Sequence, residues 1–318
     1  MTYDVLTEEL MDKLQVLNER VWEYNANRAV IDLWLDNFEP AGADASKDRI
    51  HALFLLSQFV YFGLQEVREL LRSLFRDHYR YPIIAEYRRA NGDERNVSRL
   101  HDHFSQELKK TRFLGIGNPA ESGTHLLYYF RQVNRLEKSY FVTETELIDR
   151  RFDDPEAKLS SGDIERLVFI DDFCGSGTQA TAYSKKMLEV LREVASRSGK
   201  ELHVSYLVLV ANKSGIEAVR ANTSFDVVDA VFELDDSYRC LEAGARQFSD
   251  PPNGIEQGHA RGLAQRFGER LWKQHPRGYK DGQLLLGFHH NVPDNSLPIL
   301  WWGESSTWYP MFLRFHKA

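Results

Sequence analysis

The stretch LVFIDDFCGSGT, residues 167–178, combines two acids with a glycine turn. Its four leading apolar residues predict a buried strand, and the run after the glycines has helical spacing. A strand that ends in such a turn at a helix start gathers backbone N–H groups around one point, with the positive end of the helix dipole behind them. Glycines allow a close approach, and serine and threonine hydroxyls donate hydrogen bonds to phosphate oxygens. The stretch therefore predicts a phosphate site.

The acid pair restricts the kind of ligand that could bind there. Asp171 and Asp172 would repel an isolated phosphate, but carboxylates accept hydrogen bonds from hydroxyl groups and can approach a magnesium ion that the ligand carries. A ribose 5-phosphate presents both features. In open α/β sheets, ligands bind at the carboxyl ends of the strands, which is where these acids are expected.

This segment resembles the signature of the phosphoribosyltransferases, in which four apolar residues, two acids and a small-residue phosphate loop precede a helix. The resemblance implies that Asp171 and Asp172 are the catalytic acids, which contact the ribose hydroxyls of phosphoribosyl pyrophosphate and meet Mg²⁺ only through the metal-bound ligand. It further implies a set of phosphate and ribose contacts from the turn and the first helical residues: Gly175, Ser176, Gly177, Thr178 and Gln179.

A second loop, GIGNPAESG, takes the place of the pyrophosphate loop in the same resemblance. Its candidate residues are Gly117, Asn118, Ser122 and Gly123. Two features depart from the family pattern: the loop after the acids is short and carries Phe173 and Cys174, and Glu121 stands where many catalytic members have a basic residue. A later loop offers alternative positive charge from Arg150, Arg151 and Lys158.

Four parts of the chain together resemble the phosphoribosyltransferase-like proteins of bacterial conflict systems: the helical N-terminus, DDFCGSGTQ, GNPAESG and the tail HHNVPDNSLPILWW. Members of that group are encoded in anti-phage defence loci, some beside retron reverse transcriptases. The resemblance implies a ribose-phosphate ligand, phosphoribosyl transfer with loss of pyrophosphate, and a protein or reverse-transcriptase/RNA partner. The alternative is a non-catalytic nucleotide or ribose-phosphate sensor or effector subunit that regulates a partner protein.

Other interpretations of the motifs stay open. Both glycine turns fit the loose dinucleotide fingerprint G-x-G-x-x-A, but that scheme needs an acid at the end of the next strand. After GSGTQA the sequence has Asn212 and Lys213 at that place, and after GIGNPA its only candidate acid is Glu144. A purely structural turn, with one acid capping the helix, is also possible.

In the tail, Asn291, Asp294 and Asn295 around Pro293 could read a nucleobase edge, but asparagine and aspartate beside a proline favour a turn. The adjacent His289 and His290 have no cysteine partners, which argues against a metal site.

The elements that must position these residues form three predicted regions. Helical periodicity predicts an all-helical N-terminal region over 1–99. From 100–240, short β-type runs alternate with helices, which predicts an α/β, phosphoribosyltransferase-like core with a mostly parallel sheet flanked by helices. Its expected strands are RFLGIG, SYFVT, RLVFID, VSYLVLVAN and DAVFEL. Residues 241–318 are predicted to form a C-terminal hood packed on the core.

Composition excludes several classes of protein. With 318 residues, 42% of them hydrophobic and 27% charged, the chain is globular, and no apolar run is long enough to predict a membrane span. A net charge of -7 argues against non-specific nucleic-acid binding over the whole surface. The acidic N-terminus lacks a secretory pattern, and two cysteines exclude a disulfide framework. We therefore expect a cytoplasmic protein.

Overall fold

We describe the protein from a computed structural model. It describes residues 3–38, 45–116, 122–150, 154, 156–304 and 307–314, with the backbone alone for residues 3 and 122–125. The chain divides into two compact units. The first unit comprises Met1–Val67 and Asp235–Ala318, and the second unit comprises Arg68–Leu234.

The helices, in chain order, are α1 (Tyr3–Arg20), α2 (Arg28–Asp36), α3 (Ala45–Ser57), α4 (Leu64–Ser73), α5 (Tyr81–Ala90), α6 (Val97–Lys109), α7 (Ser122–Asn134), α8 (Thr178–Tyr183), α9 (Glu189–Arg197), α10 (Lys213–Asn222), α11 (Gln257–Leu271) and α12 (Pro298–Trp301). The strands are β1 (Val60–Phe62), β2 (Thr111–Gly115), β3 (Arg166–Cys174), β4 (His203–Asn212), β5 (Val227–Leu234) and β6 (Leu286–Phe288). Two π-helical turns, Leu74–Arg80 and Ser184–Leu188, join α4 to α5 and α8 to α9. The predicted class, α/β with parallel sheets flanked by helices, is confirmed.

The second unit contains a four-stranded parallel sheet with the order β2-β3-β4-β5. Strand β3 lies inside the sheet, and its residues from Leu167 to Asp172 are all buried. Parallel strands that are covered on both faces have nearly continuous apolar sequences, which explains the strong LVFI signal. The strand runs three residues beyond the predicted end, because Phe173 and Cys174 still pair with β4.

The predicted strand SYFVT is wrong. Lys138–Tyr140 instead form a 3₁₀ turn, and Phe141 makes only an isolated parallel bridge to Phe113. The ring of Phe141 packs against Phe113 at 5.5 Å and against Phe130 at 6.3 Å, so this segment covers the core as a loop. Its apolar residues produced the β-type pattern without a ladder of hydrogen bonds. The other four strands predicted in the core are confirmed.

The first unit joins the two ends of the chain in one hydrophobic core. Helices α1, α3 and α11 pack together, and β1 pairs in parallel with β6. Residues from both ends contribute to this core, including Trp22, Trp34, Phe267 and Trp301. The N-terminal region is thus helical apart from β1, and residues 68–99 group with the sheet. The three-region division, with a hood on the core, stays a prediction.

No helix in the described part of the chain combines the length and the apolarity that a membrane crossing requires.

Candidate functional site

The acid pair lies near the carboxyl end of β3. Asp171 and Asp172 are both buried, each with 9% of its surface exposed. The neighbouring strand β4 supplies Tyr206, whose hydroxyl donates a hydrogen bond of 2.9 Å to Asp171 Oδ2. Asp171 Oδ1 accepts a second hydrogen bond, of 3.0 Å, from the backbone N–H of Asp172. Each carboxyl oxygen of Asp171 therefore has one donor from the protein.

The surroundings of Asp171 favour its neutral form. Burial raises the pKa of this carboxyl, and the charge of Asp172 and a hydrogen bond to the Asp172 side chain act in the same direction. The Tyr206 hydroxyl and the Asp172 N–H oppose that rise in pKa, because they stabilise the charged form. No ion pair joins Asp171 to a cation within the described ranges. The two acids thus form a close carboxyl pair that can share a proton.

Cys174 follows the acids at the end of the strand and is also buried. Burial and the charge of Asp171 raise the pKa of its thiol to about 12, while its hydrogen bonds with the Tyr206 hydroxyl and the Gly177 N–H act against the rise. The thiol therefore stays protonated and unreactive near neutral pH. The bond from Gly177 also means that this amide is engaged with sulfur, so it does not add to the anion-binding amides that the sequence predicted.

The glycine turn packs tightly on helix α10. Gly177 has φ +70° and ψ 2°, a left-handed conformation, and it precedes the first residue of α8. A Cβ atom at Gly177 would lie 2.7 Å from the carbonyl oxygen of Gly215, and a Cβ atom at Gly215 would lie 2.2 Å from the carbonyl oxygen of Gly175. Both glycines are required by this backbone contact. Sequence reasoning missed Gly215, although a glycine inside a predicted helix indicates close backbone approach.

The polar residues of the turn lie at the start of one continuous helical run, formed by α8, its π-helical turn and α9. Ser176 Oγ and Thr178 Oγ1 are 2.9 Å apart on the exposed side. Gln179 is exposed in the first turn of α8. These hydroxyls and the acid pair therefore occur within eight consecutive residues at one edge of the sheet. Their predicted roles in ligand binding stay predictions.

The predicted pyrophosphate loop follows β2, whose last residue, Gly115, pairs with Ile170 on β3. The loop thus leaves the sheet at the same edge as the acid pair. Gly117 and Asn118 lie outside the described residues, as does Glu121. Ser122 and Gly123 begin α7, where only the backbone is described.

The sequence offered Arg150, Arg151 and Lys158 as an alternative source of positive charge, and the first of these forms ion pairs. Arg150 Nη1 lies 2.9 Å from Glu156 Oε2 and 3.4 Å from Asp154 Oδ2. Arg151 lies outside the described residues, and Lys158 is exposed. Arg150 is therefore paired with acids of its own loop.

Two other motifs were considered from the sequence, the dinucleotide fingerprint and the polar tail. Strand β4 ends at Asn212 and α10 begins at Lys213, so the position that a dinucleotide site would fill with an acid holds an amide. In the tail, Ser296 N–H donates to the Pro293 carbonyl at 3.0 Å, which confirms the turn predicted around this proline. Within the described ranges, no group of three or more His, Cys, Asp or Glu side chains could hold a metal ion.

A model of the PRTase-CE family matches residues 31–314 of the sequence. The chain belongs to the PRTase-CE family. This match covers most of the chain and confirms the phosphoribosyltransferase-like part of the resemblance. The family assignment includes the first unit as well as the sheet, because the matched range extends into both ends of the chain.

One solved structure similar to this family member is the crystal structure of orotate phosphoribosyltransferase from Aeropyrum pernix. The similarity has 20% sequence identity and a TM-score of 0.23, and it covers 41% of this chain. The chain spans 63% of the length of that enzyme, and a likeness this distant assigns no activity. No curated protein matches the sequence.

Proposed function

We propose that the protein binds phosphoribosyl pyrophosphate or a related ribose phosphate at the end of β3, and that it transfers the phosphoribosyl group with loss of pyrophosphate. The observation that carries this proposal is the buried carboxyl pair, which directly precedes a glycine turn and a helix start at the carboxyl end of an inner parallel strand. Membership of the PRTase-CE family supports the same ligand class.

The acid pair suits a vicinal diol. Each oxygen of Asp171 accepts one hydrogen bond from the protein, and a carboxylate oxygen has room for a second donor. The 2′- and 3′-hydroxyls of a ribose present two donors side by side. Binding them would satisfy polar groups whose burial is otherwise costly, and Asp172 adds a second carboxyl beside the first.

The turn after β3 suits the 5-phosphate. The hydroxyls of Ser176 and Thr178 lie 2.9 Å apart and can both donate to one phosphate group. The start of the helical run favours a negative charge at this point. The amides of Gly175 and Ser176 are the backbone donors that we assign to the phosphate, together with the side chain of Gln179.

Magnesium fits this site through the ligand. Mg²⁺ usually binds one or two carboxylates and completes its octahedral shell with water and substrate phosphates, so a pair of acids is sufficient. Asp171 and Asp172 are the residues that would contact the hydrated, ligand-bound ion. When bound, the ion supplies positive charge to the departing pyrophosphate.

The transfer requires positioning rather than a protein nucleophile. The bond between the ribose anomeric carbon and the pyrophosphate oxygen breaks, and a bond to the acceptor forms at the same carbon. The carboxyl pair holds the sugar while it gains positive character, and the glycine turn holds its phosphate. Cys174 takes no part, because its thiol pKa is about 12 and its side chain is buried.

The proposal extends to the setting of the protein. We place it in the cytoplasm of a bacterial anti-phage defence system, with a protein or reverse-transcriptase/RNA partner, on the basis of the resemblance stated above. Both cysteines, Cys174 and Cys240, are free thiols, which accords with a reducing compartment.

Calorimetric titration with phosphoribosyl pyrophosphate and Mg²⁺ tests the proposal, followed by a pyrophosphate-release assay with nucleobases and nucleic acids as acceptors. We expect binding by the natural protein and its loss in a double variant, Asp171→Asn with Asp172→Asn. Asp163→Asn is the control, since that acid is exposed and pairs with Arg112 at 3.3 Å. Binding without pyrophosphate release would support the sensor function, and absence of binding by the natural protein would refute the ribose-phosphate site.

A further inference from the structure

Tyr206 is a buried polar side chain that the sequence motifs do not include. It lies inside the apolar run of β4, opposite Phe169 of β3, and 0% of its surface is exposed. Its ring stacks on Phe225 at a centroid distance of 5.4 Å. Its hydroxyl donates to Asp171 Oδ2 at 2.9 Å. A rigid ring therefore brings one hydrogen-bond donor to one of the two acids.

We propose that Tyr206 is the positioning residue of the ribose site, which fixes the carboxyl group of Asp171 in the orientation that receives the sugar diol. This inference rests on the proposed function. Tyr206 has no exposed surface, so it acts through Asp171 and makes no contact with the ligand.

The geometry around Asp171 supports this role. Two donors, the Tyr206 hydroxyl and the Asp172 N–H, bind different oxygens of the same carboxyl group. Together they fix the rotation of that group about its side-chain bond. Without Tyr206, Oδ2 would lose the hydrogen bond from β4, and the carboxyl group would be held only from its neighbour Asp172. Binding sites need such supporting contacts to hold a reacting group within a fraction of an ångström.

The charge of the site makes the tyrosine more important. Asp171 forms no ion pair with a cation in the described residues, so hydrogen bonds alone stabilise its ionised form against burial. Hydrogen bonds from hydroxyl groups to carboxylates are about twice as strong as those between neutral groups. Tyr206 thus supports both the orientation and the charge that the diol and the magnesium-bound ligand require.

The chain offers a matched control in Tyr79. This tyrosine is also buried in the second unit, and its hydroxyl forms a hydrogen bond of 2.6 Å to Thr111 Oγ1 at the start of β2. Tyr79→Phe and Tyr206→Phe each delete one buried hydroxyl that bonds to a strand residue. Only the second deletion removes a contact to the acid pair.

The test compares the two variants with the natural protein by calorimetric titration with phosphoribosyl pyrophosphate and Mg²⁺, alongside thermal unfolding. We expect Tyr206→Phe to raise the dissociation constant about tenfold, the effect of losing one hydrogen bond that orients the binding group. Tyr79→Phe should lower the melting temperature to a similar extent without changing the dissociation constant. A purely structural role for Tyr206 would lower the melting temperature in both variants and leave both affinities unchanged.

The outcomes separate this role from the function on which it rests. If the natural protein does not bind the ligand, the proposed function fails. If the natural protein and Tyr206→Phe bind equally well, the function stands and the positioning role is refuted.

A crystal structure of the natural protein with the same ligand gives a second test that does not depend on a variant that folds. We expect the Tyr206 hydroxyl to remain on Asp171 Oδ2 while the other side of the carboxyl contacts the ribose hydroxyls. A complex in which Asp171 touches no ligand atom, or in which Tyr206 leaves Asp171, would overturn the proposal.

Discussion

Each unit of the molecule buries aspartate side chains, and Asp48 of the first unit and Asp171 of the second have different partners. In the first unit, Asp48 is 6% exposed, and its two oxygens face His259 Nε2 at 2.8 Å and Arg266 Nη2 at 2.5 Å. In the second unit, Asp171 is 9% exposed and faces the Tyr206 hydroxyl and a second carboxyl. The two aspartates are buried to a similar extent, but Asp48 faces nitrogen groups whereas Asp171 faces a hydroxyl and another acid.

The comparison separates structural from functional burial. Asp48 has nitrogen partners on both oxygens, and it ties α3 to α11 within one core. Asp171 lacks a cationic partner in the described residues and lies beside another acid and a glycine turn. A carboxyl pair without compensating positive charge costs stability, and such arrangements cluster at functional sites. The second pattern is therefore the one that indicates a ligand.

The largest expected effect comes from breaking the Asp48 cluster, in which Asp48 contacts His259 and Arg266. Asp48→Asn should lower the free energy of unfolding by about 2 to 3 kcal/mol, since it leaves Arg266 and His259 without their anionic partner. Arg266 has 46% of its side chain exposed, which keeps the loss below that of a fully buried pair. Urea denaturation measures this loss in the free energy of unfolding. Equal stability of the variant and the natural protein would remove the contrast between the two aspartates.

Next in size is a change in the backbone contact beside Asp171. Gly215→Ala should cost about 1 to 3 kcal/mol by overpacking, because the new Cβ would lie 2.2 Å from the Gly175 carbonyl oxygen. It should also weaken ligand binding, since the turn must move. Gly262→Ala, in α11 with no atom within 4 Å of the new Cβ, is the control and should be neutral or stabilising. Denaturation and calorimetric titration of both variants provide the measurement.

A smaller effect, of opposite sign to that at Asp48, is expected for Asp171→Asn. The raised pKa means that the folded state holds a proton more tightly than the unfolded chain, so stability is lost as the pH rises above the ordinary pKa of an aspartate. An asparagine mimics the protonated carboxyl at every pH. The variant should equal the natural protein at about pH 4, the ordinary pKa of an aspartate, and exceed it by about 1 to 2 kcal/mol at about pH 8.

Urea denaturation at the two pH values distinguishes this outcome from a simple loss of contacts. A variant that is less stable than the natural protein at both values would show that Asp171 is a structural acid like Asp48.

The smallest effect concerns His51, which lies beside the Asp48 cluster. His51 Nδ1 donates to the Lys47 carbonyl at 2.7 Å, and Nε2 accepts the Glu256 N–H at 2.9 Å, so the neutral ring is the form that fits. Burial lowers its pKa, and nearby His259 and Lys47 also disfavour its charged form, while the Lys47 carbonyl and Glu256 favour it.

Because the folded pKa is lowered, the stability that His51 contributes is present above its ordinary pKa and is lost as the pH falls. We expect the melting temperature to decline on acidification through about pH 6, by the equivalent of roughly 1 kcal/mol. His51→Gln should be less stable at neutral pH and show a flatter decline. An unchanged pH profile in the variant would assign the decline to another group.

Much of the fold and part of the site were predictable from local sequence. The buried strands of the sheet have long apolar runs, and the helices between them have clear periodicity, so four of the five predicted core strands occur. The fifth failed because Phe141 and its neighbours are apolar for packing rather than for strand pairing. The pairing of β1 with β6 joins residues far apart in the chain, which periodicity does not reveal.

The sequence did not reveal the role of Tyr206 for the same reason, since its contact joins two distant parts of the chain. Tyr206 is 35 residues from Asp171, and only the register of β3 with β4 brings its hydroxyl to the carboxyl. The visible signal was a single polar atom within an apolar run. The acids and the glycine turn, in contrast, are contiguous, so a local motif was enough to find them.

Gly177 packs on the carbonyl of Gly215, and Gly215 packs on the carbonyl of Gly175, so each glycine meets the backbone of the other segment. Glycine is already the smallest residue, so a larger residue at one position cannot be accommodated by a smaller one at the other. Packed positions often change during evolution by paired substitutions, one to a larger residue and one to a smaller residue. This pair of glycines cannot change in that way. The turn beside the acids and the first turn of α10 can change only if the backbone itself is rebuilt.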